Sequence, residues 1–110
     1  MKIAIPASGN KPESKIDARF GRAEYFMIYD SESDAFNAKQ NSKKDGAGGV
    51  GVSVSQMLAD EGVNIIISRN FGPKSQQTLS ASGIEMYTTE GGTVEKALAD
   101  YKENKLRKVD

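Results

Sequence analysis

The chain has 110 residues, enough for one domain of ordinary size spanning positions 1–110. Its 15 basic and 15 acidic residues balance, which argues against a nucleic-acid partner, and no apolar run approaches the roughly 18 residues of a membrane span. Zero cysteine excludes disulfides, thiolate catalysis and Cys-ligated zinc or iron–sulfur sites, while zero histidine removes the best neutral metal ligand and the usual general base.

An apolar content of 37% with few aromatics suits a compact α/β domain. The N-terminus lacks a signal-peptide core, so the cytoplasm is the expected location. Ile3, Ala4, Ile5 and Pro6 form a short apolar run, read as a buried first strand. Residues 8–22 are rich in Ser, Gly, Asn, Lys, Pro and Arg and predict a long loop, of a length that is usually functional or mobile. Tyr25–Tyr29 is aromatic and β-favouring and predicts the second strand. After a polar turn at 30–34, Ala35–Gln40 alternates weakly, as an exposed partner strand does, so the two should form an antiparallel hairpin at a sheet edge.

Residues 41–49 predict a second loop, ending in glycines. Val50, Val54, Met57 and Leu58 fit one face of a helix, although Val50, Val52 and Val54 also fit a strand. Gly62 ends that helix. Val63–Ile67 is the most apolar run and predicts a central strand covered on both faces. Gly72-Pro73 opens a second helix and Gly83 stops it. Ile84–Thr88 is a fifth strand, and Thr93 caps a third helix with Val94, Ala97, Leu98 and Tyr101 on one face. The tail is expected to fray after Leu106. Strands joined through helices should run parallel with right-handed crossovers, so the order predicts an α/β fold with a five-stranded mixed sheet flanked by helices.

Three groups of residues are candidates for chemistry. Gly46, Gly48 and Gly51 match G-x-G-x-x-G, but the strand before them is polar, and no acidic residue lies about 20 positions on to hold a ribose. The alternatives are a flexible start to a helix, or an anion site at its free N–H groups, including those around Gly49. Arg19 and Arg22 flank Phe20-Gly21. Each guanidinium offers a planar fork of donors that suits carboxylates and other multi-oxygen anions, the alternative being solvated arginines or pairing with Asp17 or Glu24. Phe20 reads as a core anchor for the loop, the alternative being a stacking platform for a ligand, and Gly21 as the residue that lets the chain turn onto the sheet. Arg69 and Asn70 follow the central strand and precede Phe71-Gly72-Pro73, at the carboxyl ends of the strands where ligands of open α/β sheets bind. Lys74 and Ser75 lie in the first turn of the second helix. A two-metal nuclease is disfavoured because the first strand carries no carboxylate, and a serine nucleophile lacks both a histidine base and a G-x-S-x-G.

The ordered set MKIAIPAS, IDARFGRAEYFMIYD, GAGGVG, the Gly-Pro helix start and GIEMYTTEGGTVEKAL resembles the dinitrogenase iron–molybdenum cofactor biosynthesis family over nearly the whole chain. The resemblance implies a ribonuclease-H-like topology and a small nitrogenase accessory protein that carries the iron–molybdenum cofactor or an iron–sulfur precursor. It implies binding without catalysis, at an anion-recognising site drawn from Arg19, Phe20, Gly21, Arg22, Gly46, Gly48, Gly49, Arg69 and Gly72. The family commonly has histidine where this chain has Arg19, so no metal ligand is expected and any cluster would be held without His or Cys. Cofactor-assembly or cofactor-receiving proteins are the partners implied, for a monomer or weak dimer without nucleic acid or membrane. The alternative is a regulatory or scaffold protein that kept the fold, lost metal binding and acts through protein contacts. A weaker third is an enzyme acting on a phosphorylated small molecule.

Overall fold

The computed structural model describes residues 1–109. Strand β1 (Lys2–Ala7) is followed by the long loop, which closes in a 3-10 turn at Phe20–Arg22. Strands β2 (Tyr25–Asp30) and β3 (Ala35–Gln40) form the expected hairpin, with Ile28 opposite Asn37. Helix α1 (Val50–Asp60), strand β4 (Ile65–Ser68), helix α2 (Pro73–Ala81), strand β5 (Glu85–Thr88), helix α3 (Val94–Lys102) and strand β6 (Arg107–Val109) complete the order.

The six strands form one sheet in the order β3-β2-β1-β4-β5-β6. β1, β4 and β5 are mutually parallel, β2 and β3 are antiparallel additions at one edge, and β6 is an antiparallel addition at the other. The sheet therefore has six strands, not the expected five. The tail does not fray after Leu106: Asn104 takes a positive φ of 60° after α3, and residues 107–109 return to pair with β5, Tyr87 facing Lys108. A three-residue strand with two exposed cations has no periodicity to read; pairing to β5 alone defines it.

The competing strand pattern at Val50–Val54 gives way to a helix because burial follows its period. Val50, Val54 and Leu58 are buried, while Val52 is only half covered. β4 occupies a central position, and Ile65, Ile66 and Ile67 are all buried, as a strand covered on both faces requires. On one face Ala4, Phe26, Ile28 and Ile66 meet Val54 and Leu58 of α1 and Leu79 of α2. On the other, Ile3, Ile5 and Ile67 meet Val94, Ala97 and Leu98 of α3. Each of the Ile, Leu, Val and Phe side chains among these contributes about 1.5–3 kcal/mol through burial. The helices are punctuated as the residue types demand: Gly62 and Gly83 have positive φ beyond α1 and α2, and Thr93 accepts a hydrogen bond from the Lys96 N–H at the start of α3.

Candidate functional site

The carboxyl ends of β1, β4 and β5 lie at one end of the sheet, and the loops that leave them build the candidate site. The 8–22 loop crosses that end. Its Asp17 N–H donates to the Pro6 carbonyl at 3.0 Å, and its Ile16 N–H to the Gly92 carbonyl at 2.9 Å. Phe20 then turns inward. Its ring centroid lies 5.7 Å from Phe26 and 5.6 Å from Phe71, so the loop is fastened to both β2 and the residues before α2. Phe20 is thus a core anchor and not a platform open to a ligand.

The two loop arginines are largely engaged within the protein. Arg19 donates from Nε and Nη2 to the two carboxylate oxygens of Asp17, both at 3.1 Å, and its backbone N–H adds a third bond at 2.9 Å. Burial by itself would raise the Asp17 carboxyl, but these Arg19 bonds and the adjacent positive charge hold it below the ordinary carboxylate range. Arg22 reaches over the glycine loop instead, donating from Nη1 to the Lys44 carbonyl at 2.8 Å and from Nη2 to the Gly46 carbonyl at 3.2 Å. It is a clamp on the loop.

A residue that sequence reasoning missed ties the two loops together. Asn41, 1% exposed, donates from Nδ2 to the carbonyls of Gly21 (3.0 Å) and Ala23 (2.9 Å) and accepts from the Lys43 N–H at 3.0 Å. An Asn directly after a strand signals a turn, but only the tertiary structure brings Gly21 and Ala23 to it.

The glycines serve close approach. A Cβ on Gly21 would sit 3.2 Å from the Gly51 nitrogen, so the 3-10 turn lies against the start of α1. A Cβ on Gly46 would lie 3.0 Å from Val50 Cγ2, whereas Gly48 faces open space. Gly49 is the residue before α1, in the left-handed region at φ 63°, and Gly72 holds the same place before α2; neither helix start has a side-chain cap. The two starts converge. A Cβ on Gly51 would collide with Ser75 Oγ, so the serine hydroxyl occupies the space that glycine leaves. Residues 49–52 and 72–75 line a mostly apolar cleft of about 400 Å³. Ser75 is 5% exposed, and its hydroxyl sits in the seam against Gly51. The G-x-G-x-x-G follows an exposed, antiparallel edge strand, which is the wrong setting for a dinucleotide site.

Of the expected site residues, Arg19 is taken up by Asp17 and Gly48 faces open space, and the others fall into two places. Phe20, Gly21, Arg22, Gly46, Gly49 and Gly72 assemble around the starts of α1 and α2. Arg69 does not join them; it lies in a separate crevice with Thr88, Gly91 and Arg107. Among the described residues no three carboxylates gather as a metal-binding group. No helix among the described residues is long and apolar enough to cross a membrane.

The family model described as dinitrogenase iron-molybdenum cofactor matches residues 1–104, and the chain belongs to that family. The chain is 33% identical over 113 residues to an uncharacterised protein of Methanocaldococcus jannaschii, covering 100% of this chain and 92% of that one. Its structure resembles the apo form of the orange protein from Desulfovibrio gigas, with a TM-score of 0.93 at 30% identity over 98% of this chain and 92% of that one. It also resembles a candidate NifB protein of the DUF35 family from Thermotoga, with a TM-score of 0.86 at 40% identity over 97% of this chain and 91% of that one.

Proposed function

We propose that this chain is a non-enzymatic carrier of the iron–molybdenum cofactor, or of an iron–sulfur precursor, and that it recognises this cargo as an anion in the cleft between the starts of α1 and α2. The observation that carries the reading is that two helix starts without side-chain caps, at Gly49 and Gly72, share one mostly apolar cleft. Unpaired N–H groups and the positive ends of two helix dipoles favour negative charge there. The apolar walls suit a large, diffuse anion better than a small, strongly hydrated one, whose desolvation costs more.

Arg22 shapes the site by holding the loop that carries Gly46, Gly48 and Gly49. Thiolate and imidazole ligation are unavailable to a chain without Cys or His, and the carboxylates that remain suit hard cations. Cargo is therefore held by charge and shape. Cofactor-assembly or cofactor-receiving proteins as partners, a monomeric or weakly dimeric state and a cytoplasmic setting belong to the same reading. The strand order, with β1, β4 and β5 parallel beside an antiparallel β2–β3 hairpin, supports the ribonuclease-H-like topology that the family resemblance implies.

Anaerobic titration with isolated iron–molybdenum cofactor, followed by native mass spectrometry, tests the proposal. One equivalent should be retained at low ionic strength and released as salt rises, because exposed charges are screened within about 10 Å at 0.1 M. Retention at high salt would point to an unrecognised ligand set. The dispersal of Arg19, Arg22 and Arg69 favours a second reading, a regulatory or scaffold protein that has lost cluster binding. Absence of any adduct at low ionic strength would select it.

A further inference from the structure

β4 and β5 are adjacent and parallel, yet the chain leaves them in opposite directions. After β4 it runs to α2, whose Leu79 belongs to the core with Ile66; after β5 it runs to α3, whose Val94 belongs to the core with Ile67. A crevice must open between two such connections, and open α/β sheets use this kind of crevice for ligands. Here it has a volume of about 590 Å³, within the roughly 300–1,000 Å³ of small-molecule sites. β6 and the residues before it close its outer side with Lys105, Leu106 and Arg107.

The charges in the crevice leave a surplus of cations. Lys96 is matched by Asp100 at 3.0 Å and Lys105 by Glu103 at 3.2 Å. Arg69 and Arg107 have no carboxylate within salt-bridge distance among the described residues, and Glu90 is the one unmatched acid on the walls. Arg69 is steadied against the loop: a Cβ on Gly91, which has φ 121°, would lie 3.7 Å from its Cδ and Nε. The Asn70 and Thr89 side chains line the same space without protein hydrogen bonds among the described residues.

We propose that this crevice is a second binding site, separate from the α1–α2 cleft, for a small organic or inorganic molecule bearing two or more acid groups, phosphate or carboxylate. Arg69 and Arg107 would each grip an oxyanion through planar, charge-assisted hydrogen bonds, with Asn70 and Thr89 supplying neutral donors. Glu90 opposes the binding of an anion through like-charge repulsion. This inference does not depend on the chain carrying a metal cofactor.

Inorganic pyrophosphate and citrate, titrated separately at low ionic strength with amide NMR readout, test it. At least one should shift the Thr88–Gly92 amides saturably; pyrophosphate alone would narrow the ligand to phosphates, citrate alone to polycarboxylates. Arg69→Gln and Arg107→Gln should each weaken binding of the probe by up to about fivefold, as expected for exposed charged contacts. Glu90→Gln should tighten it, a gain that loss of structure cannot mimic. Lys39→Gln, on the far edge of the sheet, should change nothing and controls for net charge. The inference fails if neither probe shifts these amides, if the shifts map to residues 46–52, or if the arginine variants bind like the parent.

Discussion

Replacing Asn41 by Ala removes three hydrogen bonds at one buried point: two to the Gly21 and Ala23 carbonyls and one from the Lys43 N–H. Each is worth roughly 0.5–1.5 kcal/mol net, and any backbone group left dry costs about 1–3 kcal/mol. With some relaxation at the loop ends, a loss of about 3 kcal/mol is expected. For a domain of this size that corresponds to a fall in Tm of roughly 12–20 °C. Urea denaturation should show a lower midpoint at unchanged slope, and hydrogen exchange should show additional local opening in the 20–23 turn and the 41–49 loop beyond the general loss of protection. Asn41→Asp separates hydrogen bonding from volume. Its carboxylate would face two carbonyl oxygens, so its folded pKa must rise above the ordinary value of about 3.9. Stability should then be fullest at acid pH, where the protonated form donates one bond, and should fall as pH rises through that raised value. A loss below about 1 kcal/mol for Asn41→Ala, or an Asp variant whose stability ignores pH, would refute the role given to Asn41.

Gly51→Ala should cost about 1–3 kcal/mol through collision with Ser75 Oγ; in a Ser75→Ala background the same change should become neutral or stabilising by up to about 1 kcal/mol, because alanine is the better helix former, as a thermal-melt double-mutant cycle will show. The Asp17 carboxyl lies below its ordinary range in the folded protein, so its contribution is complete above the unfolded value near 3.8 and is lost as pH falls through the lower folded value; urea melts between neutral pH and pH ~2 should show that loss in the parent and its absence in Asp17→Asn. Ser68 Oγ is buried without a hydrogen-bond partner among the described residues, so Ser68→Ala should leave stability unchanged or raise it by about 1 kcal/mol in the same melts.

Patterns within a few residues of one another were readable from the chain alone. The triplet of isoleucines at 65–67 states that a strand is covered on both faces, and the structure puts it mid-sheet. Gly72-Pro73, Thr93, Gly62 and Gly83 mark helix starts and stops by backbone chemistry that acts locally, and each stands where that chemistry requires. Phe20 reads as an anchor or a stacking platform from its place beside glycine in a polar loop, and its packing on Phe26 and Phe71 decides for the anchor.

What depends on distant partners was decided by the tertiary structure. β6 exists only because β5 offers it an edge. Arg19, Arg22 and Arg69 look alike in sequence, but folding sends them to different places: Arg19 to Asp17 and Arg22 to the loop carbonyls. Arg69 goes to a crevice whose other wall is drawn from residues 88–107. Side-chain direction after a strand depends on which face the next helix takes, and hydrophobic periodicity does not encode that choice. The meeting of Gly51 with Ser75 likewise arises from α1 and α2 packing side by side, so the cleft that gives the chain its proposed role is a product of helix packing and not of any motif.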